Sequence, residues 1–328
     1  MLVNKNSTLF HKYKIITKIG QGGFSEVYKV ELNTKPGIYY ALKYFLVKNQ
    51  SDAETTIKRF KQEINLYKKI KSHRVAQYID SYIGDNEQYL VTEFIDGENL
   101  RTIINKNGKL ISKTAANYAM QIAEGISELH NSKIIHRDIK SQNILITKDR
   151  EVKIIDLGLA LSEDSQRYTK DSKLIGSVYY MAPELCNVDN SPNEKTDIYA
   201  LGIMLFEMLS GEYPIKGRDA FDTLNKQKNQ AMPEITKLVN TPQALSNIIA
   251  KATVKDPQKR YKTMWDMYLD LKTSTSPERY YEKPYNPKKA REKKTIQDIV
   301  NSNKFIISAI TILTLLLITG IIVLTILI

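Results

Sequence analysis

No stretch limits what this chain can be more than Ile134-Ile135-His136-Arg137-Asp138-Ile139-Lys140-Ser141-Gln142-Asn143-Ile144-Leu145, followed closely by Val152-Lys153-Ile154-Ile155-Asp156-Leu157-Gly158. Apolar, β-type residues bracket a polar loop in the first part and lead up to an acid in the second. Asp138 and Asn143 are five apart and can face one substrate. Asp156 arrives after an apolar strand and can hold a divalent metal from the other side. A carboxylate that orients a hydroxyl nucleophile, with oxygen ligands for Mg²⁺, is what phosphoryl transfer from a nucleotide requires.

Two earlier features fit the same chemistry. In Ile19-Gly20-Gln21-Gly22-Gly23-Phe24-Ser25-Glu26-Val27 the glycines let backbone approach a phosphate closely. A dinucleotide fold would place such a cluster between a strand and a helix. Here strand-like residues 26–30 follow, so the glycines sit in a hairpin, as a flap over a nucleotide. Tyr40-Ala41-Leu42-Lys43 puts a lysine into an otherwise apolar strand, where it needs a partner. Glu63, twenty residues on in an amphipathic helix, is the expected partner.

Periodicity divides the chain around these residues. Short β-type runs at 13–19, 26–32, 39–45, 76–82 and 89–94 are interrupted by one helix over about 52–71. After about residue 99 the period is helical, at 113–130, 196–210 and 243–251 among others. A small β-rich lobe followed by a larger α-rich lobe implies a cleft between them.

Order and spacing together resemble the eukaryotic-type protein kinase family over about residues 13–270. The resemblance rests on the Gly-rich loop, the Ala-x-Lys lysine, His-Arg-Asp-x-Lys-x-x-Asn, Asp156-Leu157-Gly158 and Ala182-Pro183-Glu184. It continues through Asp197-Ile198-Tyr199-Ala200-Leu201-Gly202 and Asp256-Pro257-Gln258-Lys259-Arg260-Tyr261. Its implications are residue by residue. Lys43 contacts the α/β-phosphates and pairs with Glu63; Asp138 orients the substrate hydroxyl and accepts its proton; Lys140 neutralises the γ-phosphoryl group. Asn143 and Asp156 hold Mg²⁺, with Mn²⁺ as a substitute. Residues Ile19, Gly20, Gln21, Gly22, Gly23, Phe24, Ser25 and Glu26 form the flap over ATP. Val27, Ala41 and Leu145 sandwich the adenine, with Thr92 as gatekeeper before a hinge from Glu93 to Ile95. Asp197 ties down the catalytic loop, and Glu184 pairs with Arg260. Ser25 stands where the third glycine of the flap is usual, and Leu157 where phenylalanine is.

The loop Asp138-Ile139-Lys140-Ser141-Gln142-Asn143 and the pair Gly176-Ser177 match the Ser/Thr branch, so serine and threonine hydroxyls of proteins are the implied substrates. Arg137 can pair with a phosphate on the activation segment. Thr169 and Ser172 lie where the family autophosphorylates, whereas Ser177 is expected to bond Asp138 or Lys140. The alternative reading is a nucleotide-binding pseudokinase that acts as a membrane scaffold.

The net charge of +12 over 328 residues raises nucleic acid as a partner, but its distribution argues against that. Residues 271–304 carry nine basic and four acidic residues and precede an uncharged apolar run at 305–328. At a rise of about 1.5 Å per residue, that run is long enough to cross a bilayer. The fold expected is therefore α+β: an N-terminal extension (1–12), a bilobal kinase domain (13–270, lobes about 13–95 and 99–270), a basic juxtamembrane linker (271–304) and a single C-terminal transmembrane helix (305–328). Basic flanks place the kinase domain in the cytoplasm, below a single-pass span in the cell membrane. The basic cluster at 288–294 is expected to touch anionic lipid headgroups. The layout is similar to bacterial receptor-type kinases without an outer sensor, either as a fragment or as a tail-anchored protein. A homodimer is left open. One cysteine, Cys186, excludes an internal disulfide framework, and the four scattered histidines offer no zinc-ligand spacing.

Overall fold

The computed structural model describes residue 3 and residues 7–21, 25–45, 50–84, 87–157, 174–186, 191–286 and 311, without the side chains of 50–56, 59, 174 and 175. The chain divides into one unit, Met1–Tyr285, and a second, Asn286–Ile328, of which only Asn286 and Thr311 are described.

In chain order the first unit runs through α1 (Leu9–Lys12), β1 (Tyr13–Gln21), β2 (Ser25–Leu32), β3 (Tyr39–Phe45), α2 (Gln50–Tyr67), β4 (Tyr78–Ile83) and β5 (Gln88–Glu93). It continues with β6 (Gly97–Asn99), α3 (Leu100–Asn107), α4 (Ser112–Asn131), β7 (Ile144–Thr147), β8 (Val152–Ile154) and α5 (Leu174–Ser177). It ends with α6 (Glu194–Ser210), α7 (Ala220–Asn229), α8 (Gln243–Ala252) and α9 (Met264–Thr273).

The first five strands form an antiparallel sheet in the order β1-β2-β3-β5-β4. Alternation along β3 sorts its side chains. Leu42 and Tyr44 join Tyr13, Tyr28, Val30, Tyr89 and Val91 in one core on one face of the sheet. Lys43 points to the other face, toward α2. A one-residue slip in pairing would exchange these faces, so burial fixes the register that aims the lysine. The core is completed by Leu9 from α1, fully buried. Val3 also joins it, so part of the expected N-terminal extension belongs to the lobe.

The larger lobe is built around α6. Its run Asp197-Ile198-Tyr199-Ala200-Leu201-Gly202-Ile203-Met204-Leu205-Phe206-Glu207 is buried on every side, as expected of a helix apolar nearly all round. Asn193 caps its start by accepting from the Lys195 N–H, and Gly211 ends it at φ 82°, the left-handed conformation that glycine adopts without strain. α4, α8 and α9 pack around it in one apolar core. That core reaches into the smaller lobe through Phe60, Ile64 and Tyr67 of α2. A three-stranded sheet, β6-β7-β8, carries Asp138 and Asp156 on the loops at its ends. The bilobal division read from periodicity is the one observed. Residues 271–285, read as the start of a linker, pack on this lobe: the Gln243 N–H donates to the Tyr280 carbonyl, and the Tyr285 N–H to Asn247 Oδ1.

One expectation is corrected. A membrane span needs a continuous apolar helix, because backbone groups in hydrocarbon must be satisfied within the segment. No helix among the described residues is long and apolar enough to cross a membrane. Residues 305–328, assigned to the span, lie outside the described residues apart from Thr311, as do 288–294, assigned to lipid headgroups. The transmembrane helix and the single-pass membrane placement are therefore withdrawn from the fold.

Candidate active site

Strand β3 and helix α2 bring the first pair together. Lys43 Nζ lies 2.7 Å from Glu63 Oε1 and 2.8 Å from Asp156 Oδ1. Glu63 is almost fully buried, so removing either partner would strand a charge away from water. Burial works against the Lys43 ammonium, but Asp156 and Glu63 outweigh it and hold its pKa above the ordinary lysine range. The lysine is thus fixed as a cation at the junction of sheet, helix and loop.

The loop between α4 and β7 presents Asp138, itself mostly buried. Its Oδ2 accepts from Lys140 Nζ at 2.6 Å and from Asn143 Nδ2 at 3.1 Å. Its Oδ1 accepts from Ser177 Oγ at 2.8 Å, while Lys140 also reaches Ser177 Oγ at 3.0 Å. Asn143 Nδ2 donates again to the Asp138 carbonyl at 2.9 Å. These contacts fix the orientation of the carboxylate. It is poised to accept a proton from a hydroxyl brought to it.

Backbone shape at this loop is set from beneath. Asp197, in the first turn of α6, accepts the N–H groups of His136 and Arg137, each at 2.9 Å, and lies 2.8 Å from His130 Nε2. A carboxylate at a helix N-terminus is favoured by the exposed N–H groups there. The clamp holds Arg137 at φ 67°, a left-handed conformation that a non-glycine residue adopts only when its surroundings impose it. Asp156 is left-handed too, at φ 65°. Below the loop His136 is fully enclosed, and burial lowers its pKa, which favours the neutral ring.

For a nucleotide, the half-buried side chains of Val27, Ala41 and Leu145 come from β2, β3 and β7, and Thr92 pairs with Ala41 across β3 and β5. Ile19, Gly20 and Gln21 close β1, with Gly20 opposite Val27. Gly22, Gly23 and Phe24 lie outside the described residues. Ser25 and Glu26 are buried; Glu26 accepts from the Tyr28 hydroxyl and from Lys18 Nζ, the latter at 2.5 Å. Glu93 turns its carboxylate to Lys153 Nζ at 2.7 Å and to the Gln77 N–H at 3.1 Å, which braces the hinge. Ile95 accepts from the Gly97 N–H. Thr169 and Ser172 lie outside the described residues.

For a divalent cation, the donor set is one carboxylate and one amide oxygen. Asn143 commits its Nδ2 to Asp138, which leaves Oδ1 as its ligand atom. The Asp156 side chain is 45% exposed. Hard oxygen donors suit Mg²⁺ or Mn²⁺, which keep the remaining positions for phosphate and water. Among the described residues no three His, Cys, Asp or Glu side chains cluster as an all-protein cage.

One contribution escaped the sequence reading. Glu207 is fully buried and takes Tyr180 Oη at 2.5 Å, Arg101 Nη1 at 2.6 Å and Ser141 Oγ at 3.1 Å. Burial raises its pKa, opposed by Tyr180 and Arg101. The network ties the catalytic loop to the segment after Ser177. An acid inside the apolar run Met204-Leu205-Phe206-Glu207-Met208 was the available signal.

The sequence profile of the family described as protein kinase domain matches residues 13–269. Serine/threonine-protein kinase PrkC of Bacillus subtilis is 35% identical over 289 residues, which cover 87% of this chain and 43% of that protein. Lactococcus lactis has a protein named probable serine/threonine-protein kinase PknB, 35% identical over 269 residues, with 82% and 43% covered. Serine/threonine-protein kinase CLA4 of Candida albicans is 34% identical over 241 residues, with 73% and 24% covered. The chain spans less than half the length of these curated relatives.

Proposed function

The chain belongs to the protein kinase domain family, and from that membership we propose that it transfers the γ-phosphoryl group of ATP to serine and threonine hydroxyls of proteins. The observation that carries the reading is the Asp138 carboxylate, held between Lys140, Asn143 and Ser177. The substrate oxygen bonds to the γ-phosphorus, the bond to the β-phosphate oxygen breaks, ADP leaves, and the hydroxyl proton passes to Asp138. Lys140 stands beside Asp138 to offset charge on the transferring group. Lys43, kept cationic by Asp156 and Glu63, is the group for the α/β-phosphates. Asn143 and Asp156 supply the oxygens for Mg²⁺, which when bound neutralises phosphate charge. Val27, Ala41, Leu145 and Thr92 enclose the base, beside the hinge at Glu93 to Ile95. Lys140 and Ser177, bonded to each other and to Asp138, support Ser/Thr rather than tyrosine hydroxyls. The same activity turned on its own activation segment gives Thr169 and Ser172 as autophosphorylation sites, with Arg137 as the phosphate's partner.

The test is phosphate transfer from labelled ATP by the full chain, compared with Asp138→Asn. Transfer to Ser/Thr that falls at least about 1000-fold in the variant is the expected result. Nucleotide binding with no transfer by the unchanged chain would overturn the enzyme in favour of a scaffold.

A further inference from the structure

Helix α2 has two faces of opposite character. Phe60, Glu63, Ile64 and Tyr67 fall within about 100° of its circumference and are all buried. Lys58, Lys61, Gln62, Asn65 and Lys69 fall within about 100° on the opposite side, and all five are exposed. The winding continues through Lys69, because the Lys68 N–H donates to the Ile64 carbonyl at 3.1 Å and the Lys69 N–H to the Leu66 carbonyl at 2.9 Å. The three lysines therefore mark a straight stripe about 16 Å long.

Among the described side chains no acid balances these charges. Between residues 57 and 74 the sequence holds one acid, Glu63, which is buried on the inner face and paired with Lys43. None of the ion pairs among the described residues involves Lys58, Lys61 or Lys69. Exposure alone does not produce this. Lys106, Lys148 and Lys237 are exposed too, and each lies within 2.9 Å of an acid, Glu98, Asp96 and Glu234 respectively. The helix dipole favours cations in the last turn, which covers Lys69 but not Lys58 and Lys61. Like charges three apart destabilise a helix, so folding alone would not select this face.

Chemistry narrows what fits there. No large apolar or aromatic side chain is exposed among the described side chains of α2. The stripe thus offers no platform for stacking bases and no wedge for a lipid surface. Carboxylates spaced along an extended chain match it, since about five residues at 3.3–3.6 Å each cover its length. We propose that the outer face of α2 is a docking surface for an extended acidic segment of a protein partner. Lys58, Lys61 and Lys69 pair with its carboxylates, and Gln62 and Asn65 hydrogen-bond its backbone between them. Glu63 projects from the opposite face of the same helix to Lys43, so a partner seated here bears on the element that holds the active-site lysine. The inference stands on charge and placement and does not rest on phosphoryl transfer.

The experiment uses the full chain and fluorescently labelled octaglutamate, with binding read by anisotropy in about 50 mM salt. One variant carries Lys58→Gln, Lys61→Gln and Lys69→Gln, which keep good helix formers at exposed positions. A control variant removes the same charge elsewhere, through Lys288→Gln, Lys289→Gln and Lys293→Gln. The α2 variant should bind octaglutamate at least about 10-fold more weakly. The control should stay within about 2-fold of the unchanged chain, and both should keep its melting temperature. Failure of the unchanged chain to bind octaglutamate would overturn the proposal. So would equal losses in the two variants, which would assign binding to net charge. Polyuridine RNA and phosphatidylglycerol vesicles serve as further probes. If the α2 variant loses either of them as strongly as octaglutamate, the surface is a general anion binder and the acidic protein segment is refuted. A chain that never phosphorylates would refute the kinase activity and leave each of these outcomes intact.

Discussion

Lys255 shows how a single residue can carry a measurable pH signature away from the chemistry. Its Nζ donates to the Gln227 carbonyl at 2.5 Å and lies 3.4 Å from the Tyr199 hydroxyl. Burial pulls its pKa down to about 8, while Cys186 opposes and Arg260 reinforces the shift. Below that value both folded and unfolded chains hold the proton. Between about 8 and the ordinary 10.5, the unfolded chain binds more protons than the folded one, so stability rises with pH through that window. The melting temperature of the wild type relative to Lys255→Met should therefore climb from pH 8 to pH 10. A constant difference would show that Lys255 titrates normally. Residues at this scale were legible where chemistry demands a fixed type at a fixed spacing. Lys43, Glu63, Asp138 and Asn143 are brought together with the partners that their spacing suggested. Glu207 was not legible, because its role comes only through Ser141, Tyr180 and Arg101, which are far from it in sequence.

Among elements, α1 is the least visible from sequence and is closely tied. Four residues cannot display a helical period, and Leu9 stands in a polar stretch. The fold secures it from three directions. Ser7 Oγ accepts the Leu9 N–H at 3.2 Å, and Glu87 accepts both the Thr8 N–H at 3.1 Å and the Thr8 hydroxyl at 2.5 Å. Lys12 pairs with Asp80 on the edge strand β4 at 2.6 Å. Leu9 then closes the core on the far face of the sheet from Lys43. Leu9→Ala should cost about 2–5 kcal/mol in urea unfolding, toward the lower figure because a short terminal element can settle into part of the cavity. A loss under about 0.5 kcal/mol would mean that α1 lies on the sheet without supporting it. The strands read from alternation came within a few residues of their observed ends. β4 starts two residues later than read, and there Ala76 instead donates its N–H to the Ile154 carbonyl. Nothing in the local pattern announces that contact, which belongs to the other lobe.

That contact matters for the molecule as a whole, because the two lobes are joined by more than the hinge. Val75 forms a parallel bridge with Ile154, and the Arg74 carbonyl receives the Ile154 N–H at 2.7 Å. The Arg74 guanidinium spreads over α4, to Glu124 at 2.8 Å and Gln121 at 2.7 Å, and also pairs with Glu151. Bonds to charged groups of this kind are each worth about 1.5–3 kcal/mol. Arg74→Met should lower stability to urea by about 2 kcal/mol and make the transition shallower as the lobes uncouple. A parallel shift with unchanged slope would assign their cooperation to the hinge and the Lys43 junction. The bilobal plan itself was plain in the sequence, since a change from period two to period 3.6 survives any detail of packing. The apolar run at 305–328 was equally plain as composition, but apart from Thr311 it lies outside the described residues.

The packing at the two ends of the kinase unit has a further consequence. The residues that mark its ancestry run from 13 to 269. The residues that hold it together begin before that stretch, with Leu9, and extend beyond it, to Leu271, Ser274 and the bonds of Tyr280 and Tyr285 to α8. Descent and cohesion draw different borders on this chain. A fragment trimmed to the inherited stretch would open one core at its top and uncover a helix at its base.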